Sequence, residues 1–350
     1  MKPTIVLFLL ILTFASTYAQ PEDSISIRSK IKYDTNYIIS YRDWFHITAV
    51  GVNKQTGIML ANVSEENDLQ FRTNNPFAFG LAFDYEWLTF EYSRTIKGLE
   101  FTDNRKGNSE SSSLRLGLTG RKFRMSTFYR RTKGFHLENI EELDPNWFNN
   151  NSTHPIYEDL GSLNVAFSIY YTFNHRKYSN TAALWQLDRQ IKSAGSPVIG
   201  FQTNYELLES EFPLSINDSS LTGETFPDIK RANYFKIGVT GGYMHTFNII
   251  KRFYFHAAFM QGFLYSRGNA SYHNFPDSKN IHTLAVSFYF RITAGYNGKK
   301  WYGGVFYVSD SFINDALSEI YEITNYDYTR LYIGYRFPIK KRPWMRKFYL

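Results

Sequence analysis

Along most of the chain apolar and polar positions alternate one by one. Near the C-terminus Leu331, Ile333, Tyr335 and Phe337 interleave with Arg330, Tyr332, Gly334 and Arg336, the period of two that sends successive side chains to opposite faces of a β-strand. The same period sets Leu284, Val286, Phe288, Phe290 and Ile292 against Ala285, Ser287, Tyr289, Arg291 and Thr293, and Phe235, Ile237 and Val239 against Lys236, Gly238 and Thr240. Upstream, Phe77, Phe79, Leu81 and Phe83 alternate with Ala78, Gly80, Ala82 and Asp84, and Leu114, Leu116 and Leu118 with Ser113, Arg115, Gly117 and Thr119. Each reads as a strand of about ten residues.

The second face separates two all-β architectures. In a soluble sandwich it looks at water and tolerates any large polar residue. Here it mixes Gly, Ala, Ser and Thr with Arg, Lys and Tyr, the composition of a crowded polar lumen, while the first face carries aromatics near strand ends. Connections alternate in length as well. With strands at 44–61, 68–84, 86–94, 111–119, 121–132, 162–173, 196–208, 233–247, 252–267, 280–296, 299–310 and 326–338, tight turns fall at Asp84-Tyr85-Glu86, Thr119-Gly120-Arg121, Ile249-Ile250-Lys251 and Asn297-Gly298-Lys299. Long polar loops at 95–110, 133–161 and 209–232 fall between them. The pattern predicts an all-β fold, a transmembrane antiparallel up-and-down β-barrel of about twelve strands. Splitting the first strand at Asn53-Lys54-Gln55-Thr56-Gly57 gives the alternative of about fourteen. The stretch 174–195 stands where a short turn belongs. Leu184, Leu187 and Ile191 have helical spacing, with Ser179 or Asn180 as cap and Gly195 as stop, which predicts a short periplasmic or lumen-plugging helix near 180–193. A further strand with Thr181, Ala183, Trp185 and Leu187 on one face is the rival reading.

Composition places the barrel. Of 350 residues 18% are aromatic, more than a soluble core of that length uses. Cys is absent, which excludes disulfides, thiolate metal sites, cysteine nucleophiles and a lipidated N-terminal cysteine. Met1-Lys2, the apolar run Ile5 to Phe14 and Thr17-Tyr18-Ala19 before Gln20 have the form of an export signal. Residues 1–19 are therefore expected to be a signal peptide and 20–43 a periplasmic N-terminal segment, with the outer-membrane barrel at 44–338 and a basic periplasmic tail at 339–350. Lys and Arg number 39 against 32 Asp and Glu, yet export removes nucleic acid as a partner. The expected partners are outer-membrane lipids and lipopolysaccharide, the outer-membrane assembly machinery and a small anionic solute. The tail, Lys340-Lys341-Arg342-Pro343-Trp344 onward, reads either as a membrane-surface anchor or as a disordered end.

Three stretches add a resemblance. Tyr41-Arg42-Asp43-Trp44-Phe45, Asn74-Asn75-Pro76-Phe77-Ala78-Phe79-Gly80 and Gln186-Leu187-Asp188-Arg189-Gln190-Ile191-Lys192-Ser193-Ala194-Gly195-Ser196 resemble an uncharacterised Bacteroidetes outer-membrane β-barrel family of unknown function, over nearly all of the mature chain. The resemblance implies compartment and architecture and brings no active-site residue.

Catalytic and metal motifs must therefore be carried by the residues themselves. A His-x-Ser pair on one strand face would place a base beside a nucleophile, and none of the eight histidines has it. No His-x-x-x-His pair suggests zinc, so His245 and His256 read as interfacial or luminal polar groups. Glu138, Glu141, Glu142 and Asp144 cluster without the spacing of a calcium loop and read first as a solvated acidic stretch. Gly238-Val239-Thr240-Gly241-Gly242 lies inside a strand and cradles no phosphate. The expectation is a non-enzymatic barrel without cofactor, either a structural or binding barrel or a narrow anion-favouring pore. A lipid-modifying enzyme and a secreted soluble sandwich are the alternatives. The strand phases place Arg115, Arg124, Arg130, Lys236, Arg291, Arg330 and Arg336 in the lumen with Asp84 and Glu91 as their few acidic partners. Left unpaired, these cations would favour anions; paired, they would build a closed network.

Overall fold

A computed structural model describes residues 33–62, 68–74, 77–96, 103–214, 229–273, 278–317 and 320–338. The expected export signal, residues 20–32 of the expected N-terminal segment and the basic tail lie outside the described residues. In chain order the strands are β1 (Ile38–Ser40), β2 (Trp44–Asn62), β3 (Leu69–Arg72), β4 (Phe77–Tyr85), β5 (Leu88–Thr95), β6 (Glu110–Thr119) and β7 (Phe123–Leu137). They continue with β8 (Ile156–Thr172), β9 (Asp188–Gln190), β10 (Ala194–Glu209), β11 (Ile229–Ile250), β12 (Phe253–Tyr272), β13 (Lys279–Asn297), β14 (Trp301–Leu317) and β15 (Ile320–Pro338). Short helices α1 (Ile140–Leu143) and α2 (Trp147–Asn150) lie between β7 and β8, and α3 (Asn180–Leu184) lies between β8 and β9.

Among the described residues thirteen strands form one antiparallel sheet. It closes because β15 returns to β2, from Pro338↔Trp44 to Ile320↔Asn62. Closure leaves no unpaired edge, which is how strands satisfy their backbone in an apolar surrounding. The ring has twelve positions, since β3 and β4 are successive pieces of one of them: β4 pairs with His46–Asn53 of β2, and β3 with Gly57–Leu60. Because β2 runs unbroken through Lys54 and Gln55, the fourteen-strand alternative does not arise.

The break falls instead in the second expected strand, after Arg72. There β3 gives its far edge to β7, with Phe71↔Leu137 and Arg72↔His136, rather than to β5. The β5–β6 hairpin is thereby bypassed, and the ring narrows to ten strands at the long-loop end. Asn74 holds the crossing: its amide donates to the carbonyls of Asp103 and Gly107, and its backbone N–H donates to Ser109 Oγ.

The strands also run longer than the expected ten residues or so, reaching 22 in β11 and 20 in β12. Nine to eleven tilted residues cross a hydrocarbon layer. The remainder carries the ladder past the apolar band, where Arg94, Arg131, Lys133, Glu158 and Arg231 face outward. Within the band the outer face is apolar and uncovered, Leu284 being 77% and Phe263 62% exposed. Such a continuous apolar wall calls for lipid rather than water.

At the short-turn end the stretch after β8 folds inward as a plug. The expected helix near 180–193 is confined to Asn180–Leu184, all five residues buried. It stops there because Gln186 adopts φ 54°, the left-handed conformation that ends a helix. Gly195 does not stop it and lies in β10, while β9 pairs with β1 to form a small second sheet. At the opposite end inward side chains become apolar. Ile58, Leu60, Phe71, Phe135, Leu137, Leu208 and Ile281 pack with Ile140 and Leu143 of α1 into one buried cluster.

Candidate functional site

All nine luminal residues expected from the alternation project from inward positions, because period two held its phase along each strand. Arg130, Lys236, Arg291, Arg330, Arg336, Asp84 and Glu91 are buried, and Arg115 and Arg124 are half-buried. They fall into three levels.

The lowest level ties the plug to the wall. Arg336 donates to the Gln186 carbonyl at 2.6 Å, to Asn297 Oδ1 at 2.7 Å and to the Gly298 carbonyl. Gln186 in turn donates from its amide to the hydroxyls of Tyr254 and Tyr332, at 3.2 and 3.1 Å. Arg291 donates to Asn180 Oδ1 at 2.8 Å and to His256 Nε2 at 2.7 Å. An imidazole that accepts at Nε2 carries its hydrogen on Nδ1, 3.0 Å from Thr246 Oγ1. Asp188 is the plug's anion: it accepts from Ser179 Oγ and Thr181 Oγ1 at 2.7 and 2.9 Å and pairs with Arg42 and Arg121 at 3.3 and 3.4 Å. Burial alone would raise this carboxyl, but the two guanidinium groups and the two hydroxyls hold it well below the usual carboxylate range.

At mid-height the interior is hollow. Along β7 the inward Arg124, Ser126 and Phe128 keep partial exposure while Arg130 and Thr132 above them are buried. Likewise Ser168 is half-buried between buried Tyr170 and Asn164, and Gln202 between buried Val198 and Asn204. Gly262 lets two polar side chains close over the wall: a Cβ there would stand 2.5 Å from Ser287 Oγ and 2.8 Å from Gln202 Nε2. Arg115, Arg124, Phe128, Gln202, Tyr289 and Asp310 are inward residues that keep partial exposure at this level.

Charge in this chamber is uneven. Glu91 pairs with Arg330 at 2.9 Å and accepts from the Tyr328 hydroxyl, as the closed-network expectation requires. Asp84, the other expected partner, makes no ion pair among the described residues. Arg115 sits over the rings of Tyr328 and Phe128, at 4.8 and 5.0 Å, with Trp185 of the plug at 5.9 Å. Neither Arg115 nor Arg124 makes a hydrogen bond or a close ion pair among the described residues, although Arg115 stands opposite Glu91 across β5 and β6 and interacts with that carboxylate's charge. The lumen nevertheless holds more acid than expected. Glu206 pairs with Lys236, Asn204 donates to Glu206, and Asp310 and Glu322 face inward. Glu322 lay beyond the expected strand boundary, and Glu206 and Asp310 lay inside strands whose phase was legible but unused. Lys54, which donates to the Ser93 carbonyl at 3.1 Å, lies in the stretch where only the alternative reading split the first strand, and its phase there was unused.

Above the chamber lies the apolar cluster, and on top of it the acidic stretch of the β7–β8 loop. Glu138 there accepts from Lys106 at 2.8 Å and from His136 at 2.5 Å. Partial burial opposes its charge, yet these two donors bring its pKa down to about 2. Among the described residues no group of three potential ligands is placed to hold a metal. No serine hydroxyl contacts a histidine among them either; the hydroxyls at histidine rings belong to Thr246, Tyr243 and Tyr265.

Against this geometry, a family model described as a domain of unknown function (DUF4421) matches residues 32–337. No curated protein matches the sequence. Solved structures with a similar course include the outer membrane protease OmpT from Escherichia coli, at 9% identity and a TM-score of 0.40, covering 85% of this chain and 98% of that one. The Pseudomonas putida toluene transporter TodX shows 8% identity and a TM-score of 0.30, covering 86% and 91%. Likeness this remote adds nothing about activity to what the interior itself shows.

Proposed function

Since the chain belongs to the DUF4421 family, whose description assigns no activity, its interior must supply the reading: we propose a non-enzymatic outer-membrane barrel that works with its lumen closed and binds a small anion in the mid-height chamber. The observation that carries this is the pair Arg115 and Arg124: Arg124 has no ion pair among the described residues and Arg115 shares the single carboxylate of Glu91 with Arg330, so the two cations face, incompletely neutralised, a space bounded below by the plug and above by an apolar core. A buried cation without a counter-charge is costly, and an anion between the two removes that cost. Outer-membrane residence rests on the closed ring and its apolar outer face. With both ends occupied by packed side chains, a binding barrel fits better than the narrow pore.

Iodide serves as the test anion, because it quenches tryptophan on contact and Trp185 lies beside Arg115. In the folded, detergent-solubilised protein a part of the quenching is expected to vanish in Trp185→Phe and to weaken several-fold in Arg115→Gln. Quenching that neither substitution alters would remove the anion from the chamber.

A further inference from the structure

We propose that the rim at the short-turn end is a collar that binds the headgroups of anionic phospholipids. One short motif recurs there. Arg121-Lys122-Phe123, Lys251-Arg252-Phe253 and Lys299-Lys300-Trp301 each place two cations in a tight turn and an aromatic residue at the first position of the next strand. The three turns open β7, β12 and β14, so they stand at separated points around the ring.

The aromatic member sets the depth. Phe123, Phe253 and Trp301 point outward, 54 to 57% exposed, and each packs on an outward tyrosine of a neighbouring strand: Phe123 on Tyr171, Phe253 on Tyr296 and Trp301 on Tyr335. Outward aromatic pairs at strand ends mark the boundary between hydrocarbon and headgroups. Residues one step beyond, in the turn, therefore lie at the level of the phosphates.

The cations are free to act there. Lys122, Lys251, Arg252, Lys299 and Lys300 are exposed, and none has a carboxylate partner among the described residues. Arg252 is steadied by Tyr296, donating to its hydroxyl at 3.0 Å. Exposed Arg176 and Lys177 repeat the basic pair in the β8–β10 connection. The acids of the same rim are engaged elsewhere or sparse: Asp188 is buried in the plug and Glu86 is buried in the β4–β5 turn, while Asp43 before β2 is exposed. The other end is mixed in sign, exposed Glu141, Glu142, Glu158, Glu209 and Glu211 standing among exposed Arg94, Arg131, Lys133 and Arg231. A rim on which exposed cations outnumber exposed acids selects, at headgroup depth, anionic over zwitterionic lipid, each basic residue near such a surface adding to the preference.

The experiment compares lipids with brominated acyl chains, which quench the rim tryptophans when bound, on full-length protein in mixed micelles. Brominated phosphatidylglycerol is expected to bind at least about fivefold more tightly than brominated phosphatidylcholine, with the preference shrinking in high salt. In the combined variant Lys122→Gln, Lys251→Gln, Arg252→Gln, Lys299→Gln and Lys300→Gln the preference is expected to fall to unity. Its fold is checked by unheated gel mobility, and single-turn variants replace it where that mobility is lost. Equal binding of the two lipids by the native protein, or an unchanged preference in the variants, overturns the proposal. Displacement of the lipid by millimolar inorganic phosphate overturns it too, by making the rim a site for free phosphate. Failure here leaves the chamber untouched, since Arg115 and Trp185 lie inside the barrel.

Discussion

At the short-turn end the lumen is shut by a polar plug, held through Asp188, Arg291 and Arg336; at the long-loop end it is shut by an apolar cluster around Phe71, Leu137 and Ile140. Both are built on inward positions of the same strands, so the alternation permits either chemistry. What differs is geometry. The plug is a chain segment that must be oriented within a ring of twelve strands, and directional hydrogen bonds do that. The far end narrows to ten strands by the β3–β7 crossing, leaving little to orient, and close packing fills what is left. A polar seal is specific but vulnerable to loss of one partner. An apolar seal has no such weak member and depends on volume.

Removing the plug's anion breaks the comparison at its most sensitive point. Asp188→Ala strands Arg42 and Arg121 in a buried site, and the expected loss is about 3 to 5 kcal/mol, read as a shift in the urea midpoint of unheated gel mobility. Phe71→Ala tests the other seal. It is expected to cost about 3 kcal/mol or more through the cavity it leaves, independently of salt and pH; a salt-dependent loss would contradict a dry core. Leu331→Arg probes the wall between them, where the residue is 56% exposed. Facing lipid, the substitution is expected to cost about 2 to 4 kcal/mol in vesicle refolding, whereas no cost would return the outer face to water.

The smallest effect concerns pH. The pKa of Glu138 is brought down to about 2 in the folded chain from about 4.3 in an unfolded one. A depressed carboxylate stabilises fully above the unfolded value, and its contribution drains away as the pH falls from about 4.3 towards 2. Cleavage of the β7–β8 loop by an acid-stable protease is expected to rise across that window and to be flat in Glu138→Gln. Asp188 has the same sign, its contribution being present above the ordinary aspartate range and lost below it.

The wall of this molecule was legible because period two is a local signal. Which face of each strand turned inward followed from Arg330 against Leu331 or Lys236 against Ile237, and the tight turns at Gly120, Lys251 and Gly298 are where alternation pauses. The plug was legible only as a helix-spaced stretch near 180–193; what holds it, and the apolar seal at the far end, were not, since both depend on partners distant in the chain. Nothing local marks Gln186, which meets Tyr254 and Tyr332 from 68 and 146 residues away. Nor does the sequence around Arg72 reveal that β3 leaves β5 for β7. The chamber was half legible: Arg115 and Arg124 were placed in the lumen, but only the closed ring brings Arg330 onto Glu91, the carboxylate that Arg115 faces across β5 and β6, and leaves Arg124 without an ion pair among the described residues.

Closure of the lumen at both ends is the central claim, and single-channel recording of the full-length protein in a planar bilayer tests it most directly. The native barrel is expected to insert without conductance steps, and removal of residues 174–193 alone should leave it silent, because the apolar seal remains. Discrete, long-lived openings of the native protein would contradict the account and restore the anion-favouring pore.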